Sequence, residues 1–288
     1  MIKKNYTVPE QLSGTEVRKF LIKIDPAMPF SRWRDAFAKK DVKVNGKRVR
    51  ERETVCAGDE VTVFLPEENN FPVVYEDDRV LLCVKKQGIL SESNGDGTLS
   101  MEDLARAYTA RKGEKAYLCH RLDAKTGGLL LFAKDEEALA CLEDAFYDHR
   151  MEKEYLCLVQ GTPVPESAVL ESWIVKDAAA GRVRVLRHEA PDALPIRTGY
   201  EVILPGEKCL VRVHLYTGRT HQIRAQMAAI GHPVLGDELY GDRETNRKLG
   251  VRNLKLWSVL LTFGAGGALS YLDGRSFSCK APFETEEA

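Results

Sequence analysis

The 288-residue sequence has no C-x-x-C pair, no H-E-x-x-H pair, no phosphate-binding loop, no dinucleotide fingerprint and no long apolar run. Each absence removes a class of protein. The seven cysteines are scattered without regular spacing and the six histidines form no cluster with them, so neither a zinc site nor a disulfide framework is expected. We expect reduced, mostly buried thiols, no metal and no cofactor. The longest purely apolar stretches are a handful of residues, and Met1-Ile2-Lys3-Lys4-Asn5-Tyr6 lacks the apolar core of a signal peptide; the chain is expected in the cytoplasm, away from membranes. With 44% hydrophobic and 30% charged residues it reads as globular, and its length is comfortable for two domains.

What is present is unevenly distributed. The formal net charge is -1, yet residues 1–66 carry a balance of +5 and the remainder -6. A basic module on an otherwise acidic protein reads as a docking device for an anionic partner. Within it, Val17, Phe20, Leu21 and Ile24 fall at helical spacing, and Ser31 can cap a second helix whose apolar side is Trp33, Ala36 and Phe37. Val42-Lys43-Val44-Asn45-Gly46-Lys47-Arg48-Val49 alternates apolar and basic residues about Asn-Gly, which predicts a hairpin with one apolar and one basic face. Gly58-Asp59 then turns into a strand over 60–65. Between residues 31 and 52 lie nine basic and three acidic side chains, and we single out Arg32, Arg34, Lys39, Lys43, Lys47 and Arg48 as candidates to meet a phosphate backbone. Charge alone fits a solvated face equally well. The polar stretch 67–72 is expected to be a hinged linker, leaving 73–288 as the second domain.

In that second domain the stretch His120-Arg121-Leu122-Asp123-Ala124-Lys125-Thr126-Gly127-Gly128 precedes a wholly apolar run, 129–133. We read Asp123 as sitting in a sharp loop to which Gly127 and Gly128 lend backbone freedom, followed by a buried strand. An aspartate there ordinarily caps its own turn. Asp135 is placed to cap a helix running to about 149. A strand over 154–159 puts Tyr155, Cys157 and Val159 on one face, where pattern alone makes Tyr155 a core residue. Residues 164–205, interrupted by Gly181, Pro191 and Pro195, look like antiparallel strands and loops without chemistry. A strand ending near Tyr216 then runs through Thr217-Gly218-Arg219-Thr220-His221-Gln222-Ile223-Arg224 into a helix expected from about Thr220 to Gly231. A cation in the first turn opposes the helix dipole, so Arg224 should hold a specific anion. Asp123 is the candidate, gripped through two hydrogen bonds.

Taken together, HRLDAKTGG, KEYLCLVQG and TGRTHQIR…GHPVLGDELYG resemble, in that order, the pseudouridine synthases of the RluA type over about residues 73–263. Residues 13–66 resemble the small RNA-binding domain named after ribosomal protein S-four, with Asp41 where a glycine is usual. The resemblance implies an α+β fold, with a mostly antiparallel sheet in the catalytic domain and a small α/β RNA-binding domain ahead of it. It implies a cofactor-free isomerase, expected to be monomeric, that converts uridine to pseudouridine in ribosomal or transfer RNA. Asp123 matches the catalytic aspartate, Arg224 its arginine partner and Tyr155 the tyrosine stacked on uracil. Arg121 matches the side chain that fills the gap left by the flipped base, and we group Ile223, His221 and Arg219 with it as candidate substrate contacts. Lys86, Gly127 and Ala225-Gln226 depart from the family's usual proline, serine and Val-His. A non-catalytic RNA-binding or ribosome-assembly protein of the same fold, and a hydrolase of the same glycosidic bond, are the competing expectations.

Overall fold

The computed structural model describes residues 2–65 and 71–284, apart from 27, 29 and 179, with the backbone alone at Ile2 and Ser31. Two compact units emerge: Met1–Asn70 with Ser93–Leu99, and Phe71–Glu92 with Ser100–Ala288. Most of the expected linker, residues 67–70, lies outside the described residues. Phe71 and Pro72, expected in that linker, belong to the second unit: Phe71 is buried and stacks on Tyr108 at 5.4 Å, and the Val84 N–H donates to the Pro72 carbonyl.

The first unit comprises β1 (Ile2–Thr7), β2 (Thr15–Glu16), α1 (Val17–Ile24), α2 (Phe30–Ala38), β3 (Val42–Val44), β4 (Lys47–Arg48), β5 (Thr54–Val55) and β6 (Glu60–Leu65). Its sheet runs β1-β6-β3-β4 and is antiparallel throughout. Val42, Val61 and Val63 face inward and close a core with Phe20, Leu21 and Trp33 from the two helices. Two expectations change. Ile24 is 38% exposed rather than part of the buried face, and Ser31 lies inside the first turn of α2 because the helix begins at Phe30. The polar strand β1 has no alternation to announce it; it is held at the sheet edge by backbone pairing to β6. The hairpin turn is as expected, with Asn45 and Gly46 both at positive φ.

The second unit contains β7 (Val73–Glu76), β8 (Val80–Lys85), α3 (Met101–Ala110), β9 (Tyr117–Leu118), β10 (Gly127–Ala133), α4 (Glu136–Tyr147), β11 (Glu152–Gln160), β12 (Ser167–Asp177), β13 (Arg182–Leu186), β14 (Leu194–Leu204), β15 (Lys208–Leu215), α5 (Gln222–Ala229), α6 (Arg243–Lys248), β16 (Leu256–Thr262) and β17 (Ser276–Ser278). The sheet order is β13-β12-β14-β15-β11-β16-β10-β8-β7, with β17 on β16 and β9 on β10. Every pairing is antiparallel except β10 with β16 at the centre. This is the α+β, mostly antiparallel architecture expected. Pro195 does not break β14: it pairs with Trp173 of β12 at a level that β15 does not reach, so its missing N–H interrupts no second ladder.

The two glycines ahead of the apolar run are strand residues; Gly128 uses the backbone freedom expected of it, and both serve a close approach that was not expected. A Cβ on Gly127 would lie 2.1 Å from the Trp257 ring, and one on Gly128 would lie 2.1 Å from the Ser258 carbonyl oxygen. Only hydrogen lets β10 approach β16 this closely, and Gly128 also has φ near 116°, unfavourable for any side chain. Gly128→Ala is therefore expected to cost about 3 kcal/mol or more. A denaturation midpoint equal to wild type would show that β16 yields without penalty.

Among the described residues no helix is long and apolar enough to cross a membrane, and no group of His, Cys, Asp and Glu could hold a metal. All seven thiols are free: Cys83, Cys157 and Cys209 are buried, Cys119, Cys141 and Cys279 half-buried and Cys56 exposed.

Candidate active site

The loop carrying Asp123 is clamped from beneath. Thr126 N–H donates to the Asp123 carbonyl, closing the turn, and Gly88 N–H donates to the Ala124 carbonyl at 2.8 Å. Ser91 Oγ donates to the Leu122 carbonyl and accepts from the Leu122 N–H, so both backbone groups of one loop residue are tied to one buried hydroxyl. Lys85, fully buried at the end of β8, donates through Nζ to the Lys86 and Ala124 carbonyls. Burial brings its amine down to about 8, with the nearby Asp123 charge opposing the fall. Sequence reading passed over Lys85 and Ser91; a lysine closing an apolar strand looks like a solvated strand end until the loop is folded over it.

Arg224 approaches Asp123 from α5, but in a different arrangement from the one expected. One hydrogen bond, from Nη1 at 3.3 Å, reaches the Asp123 carboxylate. The paired grip goes to Asp237, with Nε donating at 2.6 Å and Nη2 at 2.9 Å. Asp237 also accepts from the Leu239 and Tyr240 N–H groups, and its side chain is fully buried. Burial alone would raise the Asp237 carboxyl; the guanidinium's hydrogen bonds and charge, with the two backbone donors, carry it below its ordinary range. Asp237 thus fixes the plane of the guanidinium and leaves one N–H edge for Asp123. The Tyr240 ring lies 5.2 Å from the guanidinium carbon, and its hydroxyl meets His221 Nδ1 at 3.0 Å. Asp237 was present in the GDELYG motif, but nothing in its spacing pairs it with Arg224.

Helix α5 begins at Gln222, with His221 in the left-handed conformation before it, later than the Thr220 start expected. The buried Gln226 ties α5 to the sheet: it accepts from Thr198 Oγ1 at 2.5 Å and donates to Ser172 Oγ at 2.9 Å.

Tyr155 is placed by strand register. It pairs with Ser258, Ser258 with Gly128, and Gly128 with Lys85, forming one row across four strands. Residues in such a row share a sheet face, so the tyrosine shares a face with Lys85 beneath the Asp123 loop, across a glycine that leaves room. Burial pushes the Tyr155 hydroxyl well above its ordinary range, with the Asp123 charge adding to it against Ser258. The phenol stays protonated at neutral pH.

These groups open into one cavity of about 560 Å³. Asp123, Tyr155, Arg224, Arg121, Ile223, His221 and Arg219 all line it. His221 Nε2 stands 3.8 Å from the Asp123 carboxylate, and Arg121 is mostly exposed at the rim, 3.8 Å from Glu92. The six basic candidates of the first unit are divided instead. Lys43 and Arg48 are paired across the hairpin on the outer sheet face, whereas Lys47 pairs with Val44 on the inner side, so the hairpin does not separate into an apolar and a basic face. Arg32 and Arg34 lie on α2, which packs on the inner side through Trp33, and Lys39 directly follows it.

A sequence model of the RNA pseudouridylate synthase family matches residues 79–229. Ribosomal large subunit pseudouridine synthase C of Escherichia coli strain K12 is 31% identical over 279 aligned residues, covering 87% of this chain and 85% of that protein. Ribosomal large subunit pseudouridine synthase D of Nitrosomonas europaea is 31% identical over 255 residues, covering 82% and 71%. Among solved structures, the human RNA pseudouridylate synthase domain containing 4 protein superposes with a TM-score of 0.60 at 24% identity, over 73% of this chain and 88% of that one, a likeness of fold.

Proposed function

We propose a mechanism from the premise that the chain belongs to the RNA pseudouridylate synthase family and is an isomerase: Asp123 attacks or deprotonates a flipped-out uridine, oriented by Arg224, which Asp237 holds in place. The observation that carries this reading is the chain Asp237–Arg224–Asp123, buried at one end and opening into the cavity beside Tyr155 at the other. The reaction breaks the bond between uracil nitrogen 1 and the ribose, turns the base and rejoins it through carbon 5; the carbon 5 proton leaves and nitrogen 1 gains one. No electrons or groups leave the nucleotide, so an ionised carboxylate and a fixed cation supply the chemistry required.

The uridine must leave its stack, at a cost of a few kcal/mol. Arg121 at the rim fills the vacated position, and His221, Ile223 and Arg219 line the path of the base. Tyr155 stacks on the uracil, and its hydroxyl, protonated at neutral pH, accepts the carbon 5 proton only as it passes on its own. Tyr155→Phe is accordingly expected to keep RNA affinity and to slow turnover by about 10²-fold. Unchanged turnover would remove the hydroxyl from the chemistry.

The names of the relatives point to ribosomal large-subunit RNA as the substrate, with transfer RNA as the second class to test. The basic first unit, read as an RNA-binding domain of the ribosomal-protein-S-four type, supplies docking affinity, and the enzyme works as a cytoplasmic monomer. In support, Lys43 and Arg48 sit directly opposite one another in the hairpin, a like-charge pair that an anion relieves. Tritium release from carbon 5 of labelled ribosomal and transfer RNA tests the assignment, with nucleoside analysis of the product. Pseudouridine in one RNA pool is the expected result. Abasic sites would mean hydrolysis, and binding without release would mean a non-catalytic RNA-binding protein.

A further inference from the structure

Strand β11 sends two side chains into the cavity, two positions apart on one face: Tyr155 and Lys153. Lys153 is only 9% exposed, yet among the described residues no carboxylate pairs with it and no carbonyl accepts from it. Its ammonium lies 5.7 Å from the Phe146 ring and close to Gly218, where a Cβ would stand 3.8 Å from Nζ. The adjacent acid, Glu154, turns to the opposite face toward Arg212 and His214. Arg219 and His149 line the cavity with it, and Asp148, next to His149 in the chain, stands 3.6 Å from Arg150. Burial holds the Lys153 amine down at about 8, and Lys153 together with Arg219 helps depress His149 after burial has done so. This wall of the cavity therefore carries two cations, Lys153 and Arg219, beside a His149 held neutral, and the acid acting on His149, Asp148, is also paired to Arg150.

A largely buried lysine whose ammonium faces a cavity with no anionic partner is costly and persists where something else supplies the anion. Resting on the pseudouridine synthase reading, we propose that Lys153, with Arg219 and His149 at the rim, seats a phosphodiester of the RNA, the one joined to the nucleotide whose base meets Tyr155. Two residues along a strand span about 7 Å. That is the scale of the separation between a pyrimidine and its own phosphate, so one strand aligns both ends of the flipped nucleotide. Lys153 is in this sense a positioning residue: it draws the backbone in while Asp123 and Tyr155 act on the sugar and base.

The test compares wild type, Lys153→Met and Lys153→Arg for binding to unmodified large-subunit ribosomal RNA between about 50 and 200 mM salt, with thermal unfolding alongside. Methionine fills the same space without charge, so Lys153→Met is expected to unfold at a temperature equal to wild type or a few degrees higher, roughly 2–4 °C. Its RNA affinity is expected to fall about tenfold at low salt, and the slope of log affinity against log salt to shrink by about one phosphate contact, while Lys153→Arg keeps both. A slope for Lys153→Met equal to wild type, whatever happens to turnover, overturns the proposal. If wild type binds RNA with no tritium release, the isomerase reading fails, and the salt slope still decides the phosphate seat.

Discussion

Asp123→Ala is expected to lower single-turnover pseudouridine formation by about 10⁴-fold or more while leaving RNA affinity within a few fold of wild type. The size follows from position: Asp123 is the carboxylate of the cavity that receives the Arg224 hydrogen bond, and its loop is held by Thr126, Gly88, Lys85 and Ser91. Those contacts run through the backbone, so alanine leaves the turn in place and removes the reacting group. Equal protein stability by chemical denaturation, with tritium release lost, is the expected pair of results. Residual release above a hundredth of wild type would mean that another group performs the first step.

Asp237→Asn is expected to do damage of a different kind. Arg224 is buried, and its paired partner would lose its charge, which costs about 3 kcal/mol or more of folding stability. Turnover should fall by about 10²-fold, because a guanidinium no longer fixed in its plane positions Asp123 poorly. The pH dependence has a definite sign. The folded Asp237 carboxyl lies below its ordinary value of 3.8, so the pair's full contribution is present above that value and is lost as pH falls through the folded one. Wild type should therefore lose stability on acidification below about pH 4 more steeply than Asp237→Asn does. Denaturant melts across pH 3 to 7 read both effects, and parallel curves for the two proteins would show that Asp237 contributes no charge-dependent stability.

Much of the candidate site could be read from the chain because its determinants are local. A capped helix after Asp135, a buried run after the glycines and a strand carrying Tyr155 each follow from spacing, and all three are present. The Asp135 carboxylate does accept from the Ala138 N–H as a cap. The partners were not legible. Arg224 in the first turn of its helix demanded an anion, but two were available 101 and 13 residues away, and periodicity does not rank them. Packing does: Asp237 is the one whose two oxygens both accept from the guanidinium and whose side chain has no access to water. The glycine pair was only half legible, for a related reason. Glycine signals freedom to turn and freedom to approach with the same residue type, and only the presence of Trp257 and Ser258 across the strand distinguishes them.

Sequence alone determined the three motifs, the carboxylate at the loop and the basic character of the first unit, since these depend on residue type and near-neighbour spacing; the α+β class followed from the family resemblance that the motifs carry. Tertiary structure decided the pairing: which acid holds Arg224, what lies beneath Asp123, which face of the hairpin each cation takes, and that Lys153 reaches the cavity with no anionic partner among the described residues. Those features depend on strand register and on groups brought together from distant parts of the chain. A shift of one residue in register would send the strand side chains among them, Lys85, Tyr155 and Lys153, to the other face, so they are properties of the assembled sheet.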